Sequence, residues 1–583
     1  MLSRDTNSDV PNDTEQERPN DAEQERPAEV TEERVDPRLI LGPLLRHVDE
    51  TSAAVWLESA VATRVAVRAG DRTWTANTFT AHGHHYCLVH VDGLRPGEEF
   101  GYTVDIDGDE VWPPTGSVHP PSRIRTLDFS RPLSVAFGSC RTSVAHDPAG
   151  NRKHGVDSLR ALSLRMMEQP TSHWPNLLLF LGDQVYADET SDAMREFITA
   201  RRSIEKPPGE ELKDYEEYAH LYRLAWTDSV NRWLLSTLPS AMIFDDHDIR
   251  DDWNTSAEWR QEMAATSWWH DRIVGGLASY WVYQHLGNLC PSERADDEIW
   301  TQVLAAFDGP DEPDLSDVLD AFAERADEQP DTYRWSHARD IATTRLIVVD
   351  SRAARLLTPE DRSILDPSEM AWLDGQLQGG FDHVLIGTSL PFLLSPGLHH
   401  FEAWSEALAT GAWGDRWAKV GETLRKNVDL EHWAAFQEGF VEVATMVTEV
   451  ADGKRGPAPG TVTFLSGDVH NSYVAEVFRS GGARILQAVC SPIRNPLPQA
   501  IRYMTGFSSK NIGGGIGRFL ARRAKVPPSP ISWRTIRGPW FDNNLATLET
   551  RGRCLWLRWE TGVVDSGHDD PRLELVATVE IDA

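Results

Sequence analysis

From Arg131 to the end of the chain, short apolar runs alternate with longer stretches of helical periodicity, the pattern of an α/β domain. Five of these runs stop abruptly at polar residues. Run 133–137 leads into Gly138-Ser139-Cys140-Arg141, and run 177–181 into Gly182-Asp183-Gln184-Val185-Tyr186. Run 240–244 leads into Asp245-Asp246-His247-Asp248, followed by Asp251, Asp252, Trp253 and Asn254. Run 383–387 precedes Thr388-Ser389, and run 461–465 precedes Ser466-Gly467-Asp468-Val469-His470-Asn471. A short, wholly apolar run reads as a strand buried on both faces. Loops at the carboxyl ends of such strands are where open α/β sheets bind ligands. Trp-rich, helix-prone insertions interrupt the series at 192–238, 258–288 and 402–450, and the strand-like runs of 540–583 read as hairpins closing the sheet.

Upstream the texture differs. Residues 39–126 carry short alternating segments separated by turn signals such as Arg95-Pro96-Gly97 and Asp107-Gly108, which predicts a small β-sandwich of fibronectin III type. His82, His84 and His85 lie on a turn there with no acid or cysteine adjacent in sequence, so a solvent-exposed loop is expected rather than a metal site. The first residues are polar, acidic and contain a tandem octad, NDTEQERP then NDAEQERP. Such a segment cannot bury enough apolar surface to offset its ordering entropy, so disorder is expected. The expected organisation is therefore 1–36 disordered, 37–128 sandwich and 129–583 catalytic domain with helical insertions.

Composition narrows the function. At 583 residues, 40% hydrophobic and 25% charged, the chain is expected to be globular with more than one core. No apolar run is long enough to span a bilayer. The net charge of −33 argues against nonspecific nucleic-acid binding, which needs basic surface. It also repels anionic substrates at long range, so phosphate chemistry here requires strong local positive charge, such as metals. The five cysteines are widely spaced and form no CxxC pair, so reduced thiols are expected. With no apolar h-region and no twin arginine at the start, a cytoplasmic location is the expectation, and export by an unusual route the alternative.

If the five strands converge, their ends gather several acids, two histidines, a thiol and a phenol around one cleft. Clustered carboxylates repel one another unless cations lie between them. The ligand mixture favours two metals over one. Thiolate and phenolate suit a strongly Lewis-acidic ion such as ferric iron, and carboxylate positions without sulfur suit Ca²⁺, Mg²⁺ or Mn²⁺. Each piece taken alone reads more simply as packing or a solvated loop; the five together reverse that.

The ordered set FGSC, GDQVY, FDDHDIRDDW and SGDVH, supported by VVDSRAAR with Asp350 and Arg352, resembles the alkaline phosphatase D (PhoD-like) branch of the calcineurin-like metallophosphatases. The resemblance implies a four-layer αββα core preceded by the β-sandwich, with a metal centre between the sheets. It further implies that Asp183 bridges two metals and that Cys140 and Tyr186 bind Fe³⁺. Asp468 and His470 complete the set, and an acid of the 245–252 loop (Asp246, Asp251 or Asp252) holds the second metal, Ca²⁺ in the family. Where the family often reads ENN before the Trp, this chain reads Arg250-Asp251-Asp252, which adds negative charge and is expected to shift metal preference; because calcium is scarce in the cytoplasm expected for this chain, Mg²⁺ or Mn²⁺ is the alternative to Ca²⁺.

A two-metal site supports in-line attack on phosphorus by a metal-activated hydroxide. The expected activity is phosphomonoesterase, phosphodiesterase or both. His247 is the expected general acid. Arg141 is expected to hold a phosphate oxygen, or else to pair with an acid. Residues 500–540 contain no acid but carry Arg502, Lys510, Arg518, Arg522, Arg523, Lys525, Arg534 and Arg537. Arg518 and Arg522 are candidates for drawing in a phosphorylated substrate or for touching an anionic membrane surface; the alternative is a helix pairing with the chain's own acids. Two other functions compete. A Cys140 nucleophile leaves the ordered acids without a role, and a catalytically silent scaffold leaves a nearly complete motif set without one. The sequence does not specify the substrate.

Overall fold

Side-chain alternation along one strand sets the architecture. In a computed structural model of the chain, Leu177, Leu179 and Leu181 join an apolar cluster with Leu346, Val348, Leu385 and Leu465. Leu178 and Phe180, pointing the other way, join Leu159, Leu162 and Trp233 of flanking helices. The structure describes residues 33–582, apart from 308, 310, 359–360, 428–429, 498–510 and 566–569. The segment expected to be disordered, and Arg502 and Lys510, thus lie almost wholly outside the described residues.

The fold is mixed α/β. One six-stranded sheet runs in the order Ser240–Ile243, Leu177–Leu181, Ser134–Gly138, Asn544–Arg551, Cys554–Val563, Arg572–Ile581. Its first three strands are parallel, and the C-terminal hairpins extend it antiparallel. A seven-stranded sheet includes Thr344–Val349, His383–Thr388, Thr461–Ser466 and Arg484–Val489 as a parallel block. The five apolar runs therefore divide between two sheets, three in one and two in the other. The two sheets share one apolar cluster, and at Gly387 a Cβ would come within 3.1 Å of Leu181 Cδ2. On the far side of the second sheet, Val384, Ile386, Val462 and Phe464 pack against the helices Pro367–Gln376 and Gln437–Ala451.

The N-terminal strands form two four-stranded sheets, Leu39–Val48, Ala53–Ser59, His84–Val91, Phe79–Ala81 and Arg72–Asn77, Arg64–Ala69, Thr103–Ile106, Asp109–Trp112. They enclose a core of their own that includes Leu45, Val55, Val67, Val89 and Trp112. His82, His84 and His85 are not free on a loop. His84 lies 2.8 Å from Glu58 and 2.9 Å from Glu216, His82 lies 2.9 Å from Asp320, and His85 lies 2.8 Å from Glu312. Glu216, Glu312 and Asp320 thus meet them from outside the sandwich, and only Glu58 belongs to it. His84 presents its two ring nitrogens to different acids, an ion-pair geometry rather than a chelate. The insertions are helical where expected, including Tyr215–Trp226, Trp269–Tyr280 and Pro396–Ala409. Among the described residues, no helix is long and apolar enough to cross a membrane.

Candidate metal centre

Parallel strands deliver their carboxyl ends to the same edge, and the loops that follow are bonded to one another there. The Cys140 and Arg141 amides donate to the carbonyls of Gly182 and Asp183 at 3.3 and 3.0 Å. The Gly467 amide donates to the Ser389 carbonyl at 2.9 Å, and the Asp468 amide to Ser139 Oγ at 3.0 Å, joining the two sheets. Gly182 has φ of +100° and a Cβ there would sit 2.6 Å from Asp245 Cβ, so only glycine permits this approach. Six of the ten described non-glycine residues with positive φ lie here: Cys140, Asp183, Asp252, Asn254, Asp468 and His470. Such backbone costs on the order of 1 kcal/mol per residue and is typical of functional sites.

These loops bring three sets of donor atoms within 4.8 Å of one another: Cys140, Asp183 and His470; Asp183, Asp245, Asp246 and Asp468; and Asp246, His247 and Asp251. Asp183 belongs to the first two and Asp246 to the last two. Cys140 Sγ lies 3.3 Å from Asp183 Oδ2, while Asp183 Oδ1 and Asp245 Oδ2 are buried and accept no hydrogen bond. The Tyr186 hydroxyl is likewise buried, beside Cys140, Asp183 and the side chain of Asn495.

Electrostatics make this cluster unstable as bare carboxylates. Burial pushes Asp183 far above the usual carboxylate range, reinforced by Cys140 and Asp245. Asp245 is raised by burial and by Asp468 and Asp246, against the pull of Arg352. Burial, with Asp468, lifts the Cys140 thiol to about 12. Burial lowers His470 to about 4, leaving the neutral imidazole that ligates metals. Unpartnered acceptor oxygens, a neutral histidine and mutually repelling acids fit bound cations.

Cations of the protein's own complete part of the balance. The fully buried Arg352 donates from Nε to Asp245 and from Nη2 to Asp246 Oδ1 at 3.0 Å. Its Nη1 lies 2.5 Å from Glu431 Oε1. His247 Nδ1 lies 2.9 Å from Asp188, and its ring packs 4.9 Å from Tyr186. Burial alone would deprotonate His247, but Asp188 and Asp246 raise its pKa well above the ordinary value.

Other members of the loops are structural. Asp248 accepts from the amides of Asp183, Val185 and Asp245 at 3.0, 3.3 and 2.9 Å, clamping two loops together. Asp350 caps its own loop through the amides of Arg352, Ala353 and Ala354. The Asp252 amide donates to Asp246 Oδ2 at 3.1 Å, and its carboxylate belongs to none of the three donor sets. Arg141 is 3% exposed; its Nη2 lies 2.8 Å from Asp157 Oδ2 and its Nη1 donates to the Ala225 carbonyl. The structure thus pairs Arg141 with an acid outside the five loops. Arg518 and Arg522 are exposed on the Asn511–Arg523 helix.

Several residues here were not singled out from sequence. Asp245 stood beside Asp246 in an obvious acidic run, with nothing to say which acid faces which donor. Asp188 lies two residues beyond Tyr186, past the last motif residue of the second run. His432 gave no signal at all: it follows no strand, yet its Nε2 lies 3.0 Å from Asp468 Oδ2 and its Nδ1 lies 2.8 Å from Glu402.

Residues 159–504 match the family described as PhoD-like phosphatase, and residues 36–124 match a domain of unknown function, DUF7800. A solved structure of PhoD is similar in fold at 13% identity, covering 94% of this chain and 91% of that one with a TM-score of 0.56. The type III pullulan hydrolase from Thermococcus kodakarensis, 11% identical over 94% of this chain and 98% of that one, gives a TM-score of 0.13 and carries no argument. No curated protein matches.

Proposed function

The chain belongs to the PhoD-like phosphatase family, and from that premise we propose that it is a metal-dependent phosphohydrolase with a binuclear centre. The observation that carries this reading is Asp183, a buried acid shared between a Cys/His set and an all-carboxylate set. Thiolate, phenolate and imidazole from Cys140, Tyr186 and His470 favour Fe³⁺ on one side of Asp183. The carboxylates of Asp245, Asp246 and Asp468 favour a hard ion, Ca²⁺, Mg²⁺ or Mn²⁺, on the other. The scaffold is best read as a four-layer αββα sandwich behind a fibronectin III-like domain, divided near residue 128.

Metal ions held there would activate the attacking water and neutralise charge on the phosphoryl oxygens. The protein's own groups do the rest. Arg352 holds Asp245 and Asp246 in one orientation, so the acids do not swing to relieve their repulsion. His247, whose pKa Asp188 helps to raise, would be the proton donor to the leaving oxygen. The Asp248 carboxylate and the Ser139 hydroxyl, each accepting from backbone amides, tie four of the five loops together in pairs.

The test is hydrolysis of chromogenic phosphomonoesters and phosphodiesters by purified protein, before and after chelation. Activity lost with the metals and regained on their return supports the reading. A metal-free protein with undiminished turnover refutes it.

A further inference from the structure

The helix Asn511–Arg523 packs along the helix Pro396–Ala409. A Cβ on Gly517 would lie 2.9 Å from the Gly397 carbonyl oxygen, and Gly517, Ala521 and Ala524 form the buried stripe. The other faces are open to solvent, with Ile516 and Phe519 each 63% exposed among exposed Arg518, Arg522, Arg523 and Lys525. A second helix, Asp415–Asn427, packs on the same Pro396–Ala409 helix, since a Cβ on Gly421 would lie 2.5 Å from the Ala409 amide. It exposes Trp417, Val420, Arg416 and Lys419. Trp413 ties the two helices: its Nε1 donates to the Arg523 carbonyl at 3.3 Å, and its ring centroid lies 5.5 Å from that of Trp417.

Two features set this face apart. Four of the twelve exposed large hydrophobic side chains of the described residues are on these two helices. None of the six cations Arg416, Lys419, Arg518, Arg522, Arg523 and Lys525 has an ion-pair partner among the described residues, although Arg425 on the same helix as Arg416 bonds both Glu406 and Glu422. Unpaired cations interleaved with exposed aromatic and aliphatic side chains, on a chain of net charge −33, single out a face for an anionic partner.

We propose that this face docks the protein on an anionic lipid bilayer. Ile516, Phe519, Trp417 and Val420 enter the headgroup boundary, and the cations engage acidic headgroups. The Pro396–Ala409 helix beneath also carries Glu402, the partner of His432 and through it of Asp468, which links the docked face to the candidate centre.

The test is co-sedimentation of the full chain with vesicles of phosphatidylcholine alone, or with about a third phosphatidylglycerol. Binding is expected only with the anionic lipid, and weakening with salt. Ile516→Ser with Phe519→Ser, and separately Arg416→Glu with Lys419→Glu and Arg523→Glu, should each reduce it by about tenfold or more. Both variants should keep the wild-type Tm. No vesicle binding, equal binding to neutral lipid, or binding indifferent to both sets of substitutions overturns the proposal. So does self-association in sedimentation equilibrium that the substitutions abolish without any lipid binding, which would assign the face to a second copy. The readout needs no enzymatic activity, so it stands apart from the phosphohydrolase reading.

Discussion

His432 and Asp468, 36 positions apart in sequence, meet at 3.0 Å through Nε2 and Oδ2, and Glu402 holds the other ring nitrogen. A carboxylate–imidazole–carboxylate chain thus runs from the helical insertion to an acid of the candidate centre. Both flanking acids raise the His432 pKa against the effect of burial, so it brings positive charge to Asp468. His432→Ala should weaken metal retention and turnover by about tenfold to a hundredfold, the usual cost of losing a group that orients a ligand. Titrating metal into the chelated variant checks this. An unchanged metal affinity would reduce the chain to packing.

His247 is expected to carry a proton to the leaving group. His247→Asn should lower kcat by about a hundredfold to ten-thousandfold with aryl phosphates of poor leaving-group quality, and less with good ones. Asp188→Asn should follow the same dependence on leaving group, because Asp188 holds the ring and its proton. A loss independent of leaving group would leave His247 an orienting role only.

Colour reports on the iron side. Purified wild-type protein should contain iron and absorb in the visible through a tyrosinate charge-transfer band. Tyr186→Phe should lose that band while keeping its Tm. Persistence of the band in Tyr186→Phe would remove that residue from the site.

Stability should respond to pH at the boundary between the sandwich and the helical insertion. Burial lowers the His84 pKa, but Glu58 and Glu216 outweigh it, so the folded value lies above the unfolded one near 6.5. A raised folded pKa stabilises fully below the unfolded value and loses its effect as pH rises through the folded one. Replacing His84 by Gln should therefore lower Tm more at mildly acidic than at clearly alkaline pH. Thermal scans at both ends decide it, and an equal decrease at each contradicts the ion-pair assignment.

Sequence pattern located the loops of the centre because a strand buried on both faces has a signature that ends where polar chemistry begins. Cys140, Asp183, Asp468 and His470 were legible for that reason. The split of the five strands between two sheets was not, since a run apolar on both faces carries no mark of which neighbour it pairs with. Bringing Asp245 in beside Asp246 depended on side-chain direction after the strand end, which adjacent acids do not encode. His432 and Glu402 sit on an insertion, and only tertiary packing brings them to Asp468. The sandwich histidines misled in the same way: Asp320 is 238 positions from His82, and Glu216 is 132 from His84. Local sequence made a loop of what the fold makes an interface.

The most direct test of the account is metal content per chain in wild-type protein and in Asp183→Asn. If Asp183 is shared by both positions, wild-type protein carries at least two metal ions of different kinds. The variant, with its fold intact by circular dichroism and Tm, should lose both together with turnover. Full metal content and full activity in Asp183→Asn would contradict a shared, bridging acid, and with it the binuclear reading.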